Sequence, residues 1–488
     1  MNRSNIILIM TDQQRFDTIQ AWDNDHMITP NMDRLASQGT SFRQAYCPGA
    51  TCVASRAATF TGMYAHNTGA YSFFNWSEHE TWVHDLSNHG YFCANIGKMH
   101  IMPTHDQGGF DERIIVENPT TVEQWNGGPD DDWGQFLKIN GYERPNHRHR
   151  SDPDWNTKFQ GVAWDLPEEM HSDVFIGKSA VAWVNSYRGE KPFFLQVGFT
   201  GPHEPWDPLP RHLELYKDKQ MPPPVTMPND LDNKPPQHAT HKHFHSQVDH
   251  ESRIDLSQAT DADIEHMRRH YYAKITTVDE QLGYVLDALE ESGHLDNSLI
   301  IFCSDHGEML GDHTLSYKWL MYDPIVHVPM IIKSSSQTSG KQDIHELVSL
   351  MDIGPTILEA AGIEKPSYLE GQSLLPYLQS GDIKDREFVI CEDNYLIMLR
   401  TKTHKLVYYI GQDESEFYDL EADPNEFNNL WADDSYQESR EAHVRMLLDF
   451  LASSNYFTHG YKRSRDKSYQ TRWHGDGDTT LHGPSAFI

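Results

Sequence analysis

Four short, almost unbroken apolar runs constrain this chain more than any other feature: NIILIM at 5–10, PFFLQVGF at 192–199, SLIIFCSD at 298–305 and VHVPMIIK at 326–333. A strand that alternates apolar and polar residues can leave one face in water, whereas a continuous run must be covered on both faces, as in a parallel sheet between two layers of helices. A helical pattern from about Asp263 to Ser292, with Ile275, Val278, Leu282, Val285, Leu286 and Leu289 on its apolar face, leads into the third run as a crossover helix would. The expectation is an α/β fold with a large, mostly parallel central sheet flanked by helices. Ligands of such sheets sit beyond the carboxyl ends of the strands. Asp12, His203, Asp305 and His306 follow these runs and are therefore the first candidates for chemistry.

A chain of 488 residues exceeds what one core usually supports, which implies two lobes. Residues 1–381 are expected to form the catalytic α/β domain and 382–488 a smaller antiparallel α+β lobe. The latter carries the runs EFVICED and YLIMLRTKTHKLVYY, a helix from about Asp434 to Ser453, and a basic tail (Lys462, Arg463, Arg465, Lys467, Arg472). Residues 103–165 and 204–262 are rich in Pro, His, Asp and Trp and read as long excursions over the sheet edge. A net charge of −32 disfavours nucleic acid or an anionic membrane as partner, so an anionic substrate would need a locally basic pocket. No stretch approaches the roughly 20 apolar residues of a membrane span, and the run Ile6–Met10 is too short for a signal-peptide core. A cytoplasmic location is expected for the chain as given, and a periplasmic one had a signal been trimmed. The five cysteines, Cys47, Cys52, Cys93, Cys303 and Cys391, follow no disulfide or zinc spacing and are expected to be reduced.

Asp12 alone could simply cap a helix. The segment SDHGEMLGDH adds Asp305 and His306 at the end of another strand, so two carboxylates and an imidazole can converge. Oxygen-rich donation suits Ca²⁺ or Mn²⁺, and the single nitrogen leaves Mn²⁺ or Zn²⁺ open. Arg56, Lys98, His100, His203 and Lys318, the last thirteen residues after Asp305, follow strand ends or lie at a helix opening, where an anion would dock. Arg supplies a fork and Lys a point charge. A helix opening after Cys52 would add its positive end.

The segments LIMTDQQR, TPNMDRLASQGTSFRQAY, TCVASRAATFTGMYAHNTG, GKMH, GPHEPW, SDHGEMLGDH and FYDLEADPNEFNNL, in that order, resemble the formylglycine-dependent sulfatase family within the alkaline-phosphatase-like superfamily. The resemblance implies that Cys52 is oxidised after synthesis to formylglycine and that Arg56 supports it. Asp12, Asp305 and His306 would hold one divalent cation, Ca²⁺ first, with the residue-52 oxygen. Gln13 stands where many relatives have a second Asp and would be a ligand or substrate contact. Lys98 and Lys318 would clamp the oxyanion, His100 would deprotonate the hemiacetal, and His203 or Lys318 would protonate the leaving oxygen. Asn75 is a further candidate for touching the substrate. The imidazoles would need no unusual pKa for these tasks. The implied reaction is hydrolysis of a sulfate ester, most simply on a small sugar or oligosaccharide. Phosphonate monoester, phosphodiester or choline sulfate hydrolysis is the enzymatic alternative, and an unmodified anion-binding protein the non-enzymatic one.

Three features are left outside this scheme. The histidine-rich stretch HATHKHFH (238–245) has no standard zinc spacing and reads as a solvated loop or as lining for a sugar pocket; Trp76, Trp125, Trp155 and Trp206 would suit sugar stacking or packing under loops; and the basic tail would be a solvated end or a contact in a homo-oligomer. Position 54 is Ala where the family prefers Pro, and by the same resemblance the anaerobic radical-type maturase accepts Ala whereas the oxygen-dependent one favours Pro. Mass spectrometry of the Cys52 peptide is therefore expected to show formylglycine after co-expression with the radical enzyme and cysteine with the oxygen-dependent enzyme alone. Efficient conversion by the latter would overturn the assignment of Ala54.

Overall fold

The computed structural model describes residues 3–71, 76–117, 130–145, 155–248, 253–334, 342–379 and 385–458. The expected lobe boundary at 381 and 382, Asn75, Trp125 and the basic tail lie outside the described residues. In chain order the strands are β1 (Asn5–Thr11), β2 (Thr40–Phe42), β3 (Ala45–Tyr46), β4 (Phe92–Gly97), β5 (Glu112–Ile115), β6 (Phe193–Gly198), β7 (Ser298–Ser304), β8 (His327–Val328), β9 (Met330–Ser334), β10 (Gln342–Ile344), β11 (Val348–Ser349), β12 (Phe388–Asp393), β13 (Leu396–Thr401), β14 (His404–Tyr409) and β15 (Glu416–Asp419). The principal helices are α1 (Pro30–Gln38), α2 (Cys52–Thr61), α3 (Trp82–Asn88), α4 (Ser172–Ser186), α5 (Gln237–His243), α6 (Asp261–Glu291), α7 (Ile353–Ala360) and α8 (Gln437–Thr458).

An eight-stranded sheet in the order β10-β2-β9-β7-β1-β6-β4-β5 forms the centre, with β1 parallel to both β6 and β7. The continuous apolar run of β1 is explained by its neighbours. Ile6, Leu8 and Met10 join the core on one face, while Ile7 and Ile9 join the core on the other. The crossover helix α6 packs on α4 and begins at a reciprocal cap between Thr260 and Asp263. The fourth apolar run departs from a single strand: it breaks at Pro329, which has no N–H for a ladder. His327–Val328 pairs antiparallel with β3 in a small second sheet, and Met330–Ser334 pairs antiparallel with β7 in the large one.

Strands β12 to β15 form a separate four-stranded antiparallel sheet, covered by α8 through Leu447 and Phe450. This lobe is joined to the larger one by buried charge. Lys405 Nζ donates to the Met321 carbonyl at 3.0 Å and meets Asp323 and Glu426, each at 2.5 Å. Within the 204–262 excursion, Lys234 donates to the Tyr418 hydroxyl at 2.8 Å, tying that excursion to the small lobe. Trp76 and Trp206 are fully buried and pack rather than present faces to a sugar.

Gly97 and Gly198 face each other across β4 and β6. Gly97 has φ 103°, and a Cβ there would overlap the Gly198 carbonyl oxygen. The close approach fixes the backbone immediately before Lys98. Gly97→Ala is expected to cost about 3 kcal/mol or more, combining left-handed strain with overpacking. Gly90→Ala, at φ 89° with open space around it, incurs only the strain of about 1 kcal/mol. Urea unfolding of the two variants measures the difference, and equal losses would contradict the close-packing account.

Candidate active site

The parallel register that pairs Thr11 with Ser304 carries Asp12 and Asp305 to adjacent positions one residue past the strand ends. The Asp305 N–H donates to the Thr11 carbonyl at 3.2 Å, and Asp305 Oδ1 accepts from the N–H groups of Gln13 at 3.0 Å and His306 at 2.8 Å. His306 Nδ1 donates to the Gly307 carbonyl at 2.8 Å, which leaves Nε2 with its lone pair. That nitrogen lies 3.7 Å from Asp12 Oδ1 and 3.8 Å from Asp305 Oδ1. One ligand atom from each of the three residues falls within 4.8 Å of the others, and all three side chains are buried. Among the described residues, Asp12 Oδ1 and His306 Nε2 have no hydrogen-bond partner, although both are inaccessible to water. Unpartnered, buried lone pairs on the Asp12 carboxylate and the His306 imidazole, beside the second carboxylate of Asp305, are a donor set suited to a divalent cation, so the residues fit a metal.

Cys52 is the first residue of α2, next to this cluster, and Lys318 Nζ lies 4.0 Å from its Sγ. Two side chains of the helix lock it onto the metal-ligand loop. Ser55 Oγ donates to the Asp305 carbonyl at 2.6 Å, and Arg56 Nε donates to Asp305 Oδ2 at 2.7 Å. Arg56 also donates to the Lys98 carbonyl at 2.9 Å and lies 3.7 Å from Asp12. The fork expected to meet an oxyanion is thus used to position Asp305 and the Lys98 backbone, and it is wholly buried. Burial opposes ionisation of Asp12, but Lys98, His203, Arg56 and Lys318 hold its carboxyl well below the usual range. Burial likewise opposes a Cys52 thiolate, yet Lys318 and Lys98 keep its thiol below the ordinary value. Lys98 forms an ion pair with Asp12, and Lys318 is held protonated, against the effect of burial, by Cys52, Glu204 and Asp12.

The two candidate histidines depart from the ordinary pKa expected of them. Burial, reinforced by Lys98, pushes the His100 imidazole down to about 4. Burial and Lys318 push His203 down to about 3, against the pull of Glu204. Both are neutral at pH 7. His203 Nδ1 donates to the Glu204 carbonyl at 2.8 Å, so its Nε2 has a lone pair and no proton to give. His100 sits at φ 60°, and its N–H, donating to Glu117 Oε1 at 2.8 Å, holds that backbone turn. Gln13 is also left-handed, at φ 67°, and its side chain is engaged by three neighbours. Its Oε1 accepts from Lys318 Nζ at 2.8 Å, and its Nε2 donates to Glu204 at 2.9 Å and Glu308 at 2.5 Å. Burial and the nearby Glu204 push Glu308 up to about 7.

The structure therefore brings together Asp12, Gln13, Cys52, Arg56, Lys98, His100, His203, Asp305, His306 and Lys318. Ser55, Glu117, Glu204 and Glu308 were not among the sequence candidates. Glu204 and Glu308 stand beside the His203 and Asp305 motifs, but nothing in their spacing reveals that they share Gln13.

Fold and site define a metal-assisted hydrolase. The chain belongs to the formylglycine-dependent sulfatase family of the alkaline-phosphatase-like superfamily: the sulfatase family model matches residues 4–363, and the model for the C-terminal part of N-sulphoglucosamine sulphohydrolase matches 311–451. The chain is 30% identical to an arylsulfatase of Clostridium perfringens, over 91% of this chain and 94% of that one. It is also 30% identical to the multifunctional alkaline phosphatase superfamily protein PehA of Trinickia caryophylli, over 97% of this chain and 100% of that one. A phosphonate monoester hydrolase of Agrobacterium radiobacter shares the fold, with a TM-score of 0.78, 24% identity and coverage of 93% and 96% of the two chains. Among the described residues no helix is long and apolar enough to cross a membrane.

After dialysis against a chelator, Ca²⁺ or Mn²⁺ at about 100 times its dissociation constant is expected to stabilise the protein by about 2.7 kcal/mol. Asp12→Asn should abolish that thermal shift. A shift that survives in the variant would place the cation elsewhere.

Proposed function

We propose that this enzyme hydrolyses esters of monoanionic tetrahedral oxyacids, with phosphonate monoesters and phosphodiesters as its first substrate class and sulfate esters as its second. The observation that carries the reading is the charge pattern around Cys52: Arg56, Lys98 and Lys318 surround Asp12 and Asp305, while the uncharged Gln13 adds nothing to the negative side. A divalent cation between the carboxylates would leave this pocket distinctly positive, as an oxyanion that gains charge during reaction needs. The breadth of the proposal is supported by PehA, whose name describes a multifunctional protein and which aligns along its whole length. The phosphonate hydrolase with the same fold supports the order of the two classes. The arylsulfatase relative supports sulfate as the second.

In this mechanism residue 52 acts as formylglycine, whose hydrate has one hydroxyl to attack the oxyacid centre and a second whose deprotonation releases the product. The cation, for which the oxygen-rich set favours Ca²⁺, supplies Lewis acidity when bound by Asp12, Asp305 and His306. Arg56 fixes Asp305 and the Lys98 backbone, so the ligand set and the oxyanion clamp move as one unit. Lys98 and Lys318 present fixed positive charge to the non-bridging oxygens, with the N-terminal end of α2 behind them. His100, neutral above about pH 4, is ready to accept the proton of the second hydroxyl. Lys318, protonated and anchored by Gln13, is the proton donor to the leaving oxygen in this reading, because His203 has its proton on the nitrogen that faces the Glu204 carbonyl. The near-complete burial of Cys52 suits attack on the acid head group, with the alcohol portion outside.

The test is a substrate series on fully matured enzyme: a phenylphosphonate monoester, bis(p-nitrophenyl) phosphate, p-nitrophenyl sulfate, glucosamine 6-sulfate and choline sulfate. Phosphonate kcat/KM is expected to exceed that of each sulfate ester by about tenfold, with all activities lost together in Cys52→Ala. A sulfated sugar turned over faster than every phosphorus ester would overturn the order and restore carbohydrate desulfation as the first reading.

A further inference from the structure

Lys318 lies in a backbone segment that its own residues do not favour. Tyr317 and Trp319, immediately before and after it, have φ of 70° and 76°, a region that bulky L-residues occupy only when their surroundings hold them there. Part of the restraint comes from the catalytic frame. The Tyr317 N–H donates to Glu308 Oε1 at 2.5 Å, the Tyr317 carbonyl accepts from Met309 N–H at 3.0 Å, and the Trp319 N–H donates to the Ala50 carbonyl at 3.1 Å, two residues from Cys52. A further peptide group, the carbonyl of Lys318 itself, is held from outside that frame. His241 Nε2 donates to it at 2.6 Å.

His241 belongs to α5, the histidine-rich stretch of the long excursion, which continues as a π-helical turn over Phe244–Val248. The stretch is not a solvated loop: His238, His241 and His245 are all buried. Two more side chains of the same stretch meet the Lys318 loop. The His245 ring lies 4.6 Å from that of Tyr317 and stacks at 5.0 Å on Trp319, and Lys242 Nζ donates to Thr314 Oγ1 at 2.8 Å. Because a carbonyl only accepts, His241 must have its proton on Nε2. Burial first, and then His245, push the imidazole down to about 3, so this tautomer persists through the neutral range. The excursion is itself anchored through Lys234 and Tyr418, which gives His241 a rigid base.

We propose that His241 is a positioning residue for the hydrolytic reaction, fixing the Lys318 peptide so that the Lys318 ammonium stays between Gln13 and residue 52. The inference rests on the reading of Lys318 as the cation that meets the substrate oxyanion. It also gives the histidine-rich stretch a role that involves neither metal nor sugar.

The experiment is a double-mutant cycle on matured protein, using the faster of p-nitrophenyl phenylphosphonate and p-nitrophenyl sulfate, with the formylglycine content of each variant measured. His241→Phe keeps the ring volume and loses the donor, and its kcat/KM is expected to fall roughly five- to tenfold, mostly in kcat. His241→Gln, which restores an N–H at similar reach, should recover activity to within about twofold. In the Lys318→Ala background, His241→Phe should change the residual rate by less than about twofold, because the residue then has nothing to position. An equal loss with and without Lys318 would overturn the proposal and make His241 a general packing residue. Should the Phe variant be insoluble, His241→Met gives the same comparison. Wild-type activity in Lys318→Ala alone would instead remove the reading of Lys318, and the inference with it, a result distinct from non-coupling.

Discussion

The parallel pairing of β1 with β7 forces Asp12 and Asp305 together where water cannot screen them, and most of the site answers that constraint. Two adjacent carboxylates in a buried pocket would protonate or drive the strand ends apart unless cations and N–H groups met them. Arg56 and Lys98 supply the cations, while the backbones of Gln13 and His306 supply the donors. The helix that presents Cys52 is thereby fixed by the same electrostatics that make the metal site: Arg56 cannot meet Asp305 unless α2 is docked, and Cys52 is one turn away. Cys52 and the candidate cation site are thus a single structural unit. Arg56 is thereby fixed in the site although it does not reach solvent.

A second regularity is the backbone around the candidate active site. Gln13, His100, Tyr317 and Trp319 all adopt left-handed conformations without being glycine. Each has a neighbouring restraint that offsets the strain: Asp305 for Gln13, Glu117 for His100, Glu308 for Tyr317 and the Ala50 carbonyl for Trp319. Strain of this kind concentrates where side chains must point in directions that regular strands and helices do not offer. The buried glutamates are therefore best understood as backbone receptors rather than as reacting acids. The excursion at 204–262 extends the same principle from single residues to a whole helix.

The parts of this molecule legible from sequence are those with a local signature. The unbroken runs at β1, β6 and β7 announce burial on both faces, and the polar residues after them mark the catalytic edge, so Asp12, His203, Asp305 and His306 could be located before any coordinates. The C-terminal strands were equally plain from their composition and turns. What could not be read depends on distance in the chain. Glu117 meets His100 from just past the end of the neighbouring strand β5, His241 reaches Lys318 from a separate excursion, and Arg56 turns inward because Asp305 lies beneath it. The ordinary pKa expected for the histidines failed for the same reason, since desolvation and nearby lysines are properties of the packed site and not of the HEP or KMH motifs.

Gln13 ties these strands of argument together. A carboxylate at this position could accept from Lys318, but it would then stand against Glu204 and Glu308, and three acids would share one lysine in a buried space. The amide avoids that conflict because its two ends differ: the oxygen accepts from Lys318 while the nitrogen donates to both glutamates. Glu308 in turn uses its other oxygen to hold the Tyr317 and Leu310 N–H groups, so the amide connects the cation directly to the loop that carries it. An amide in place of a carboxylate also lowers the negative charge beside Lys318. One uncharged residue thus sets the position of Lys318 and, on the proposed function, the balance of charge offered to a monoanionic head group.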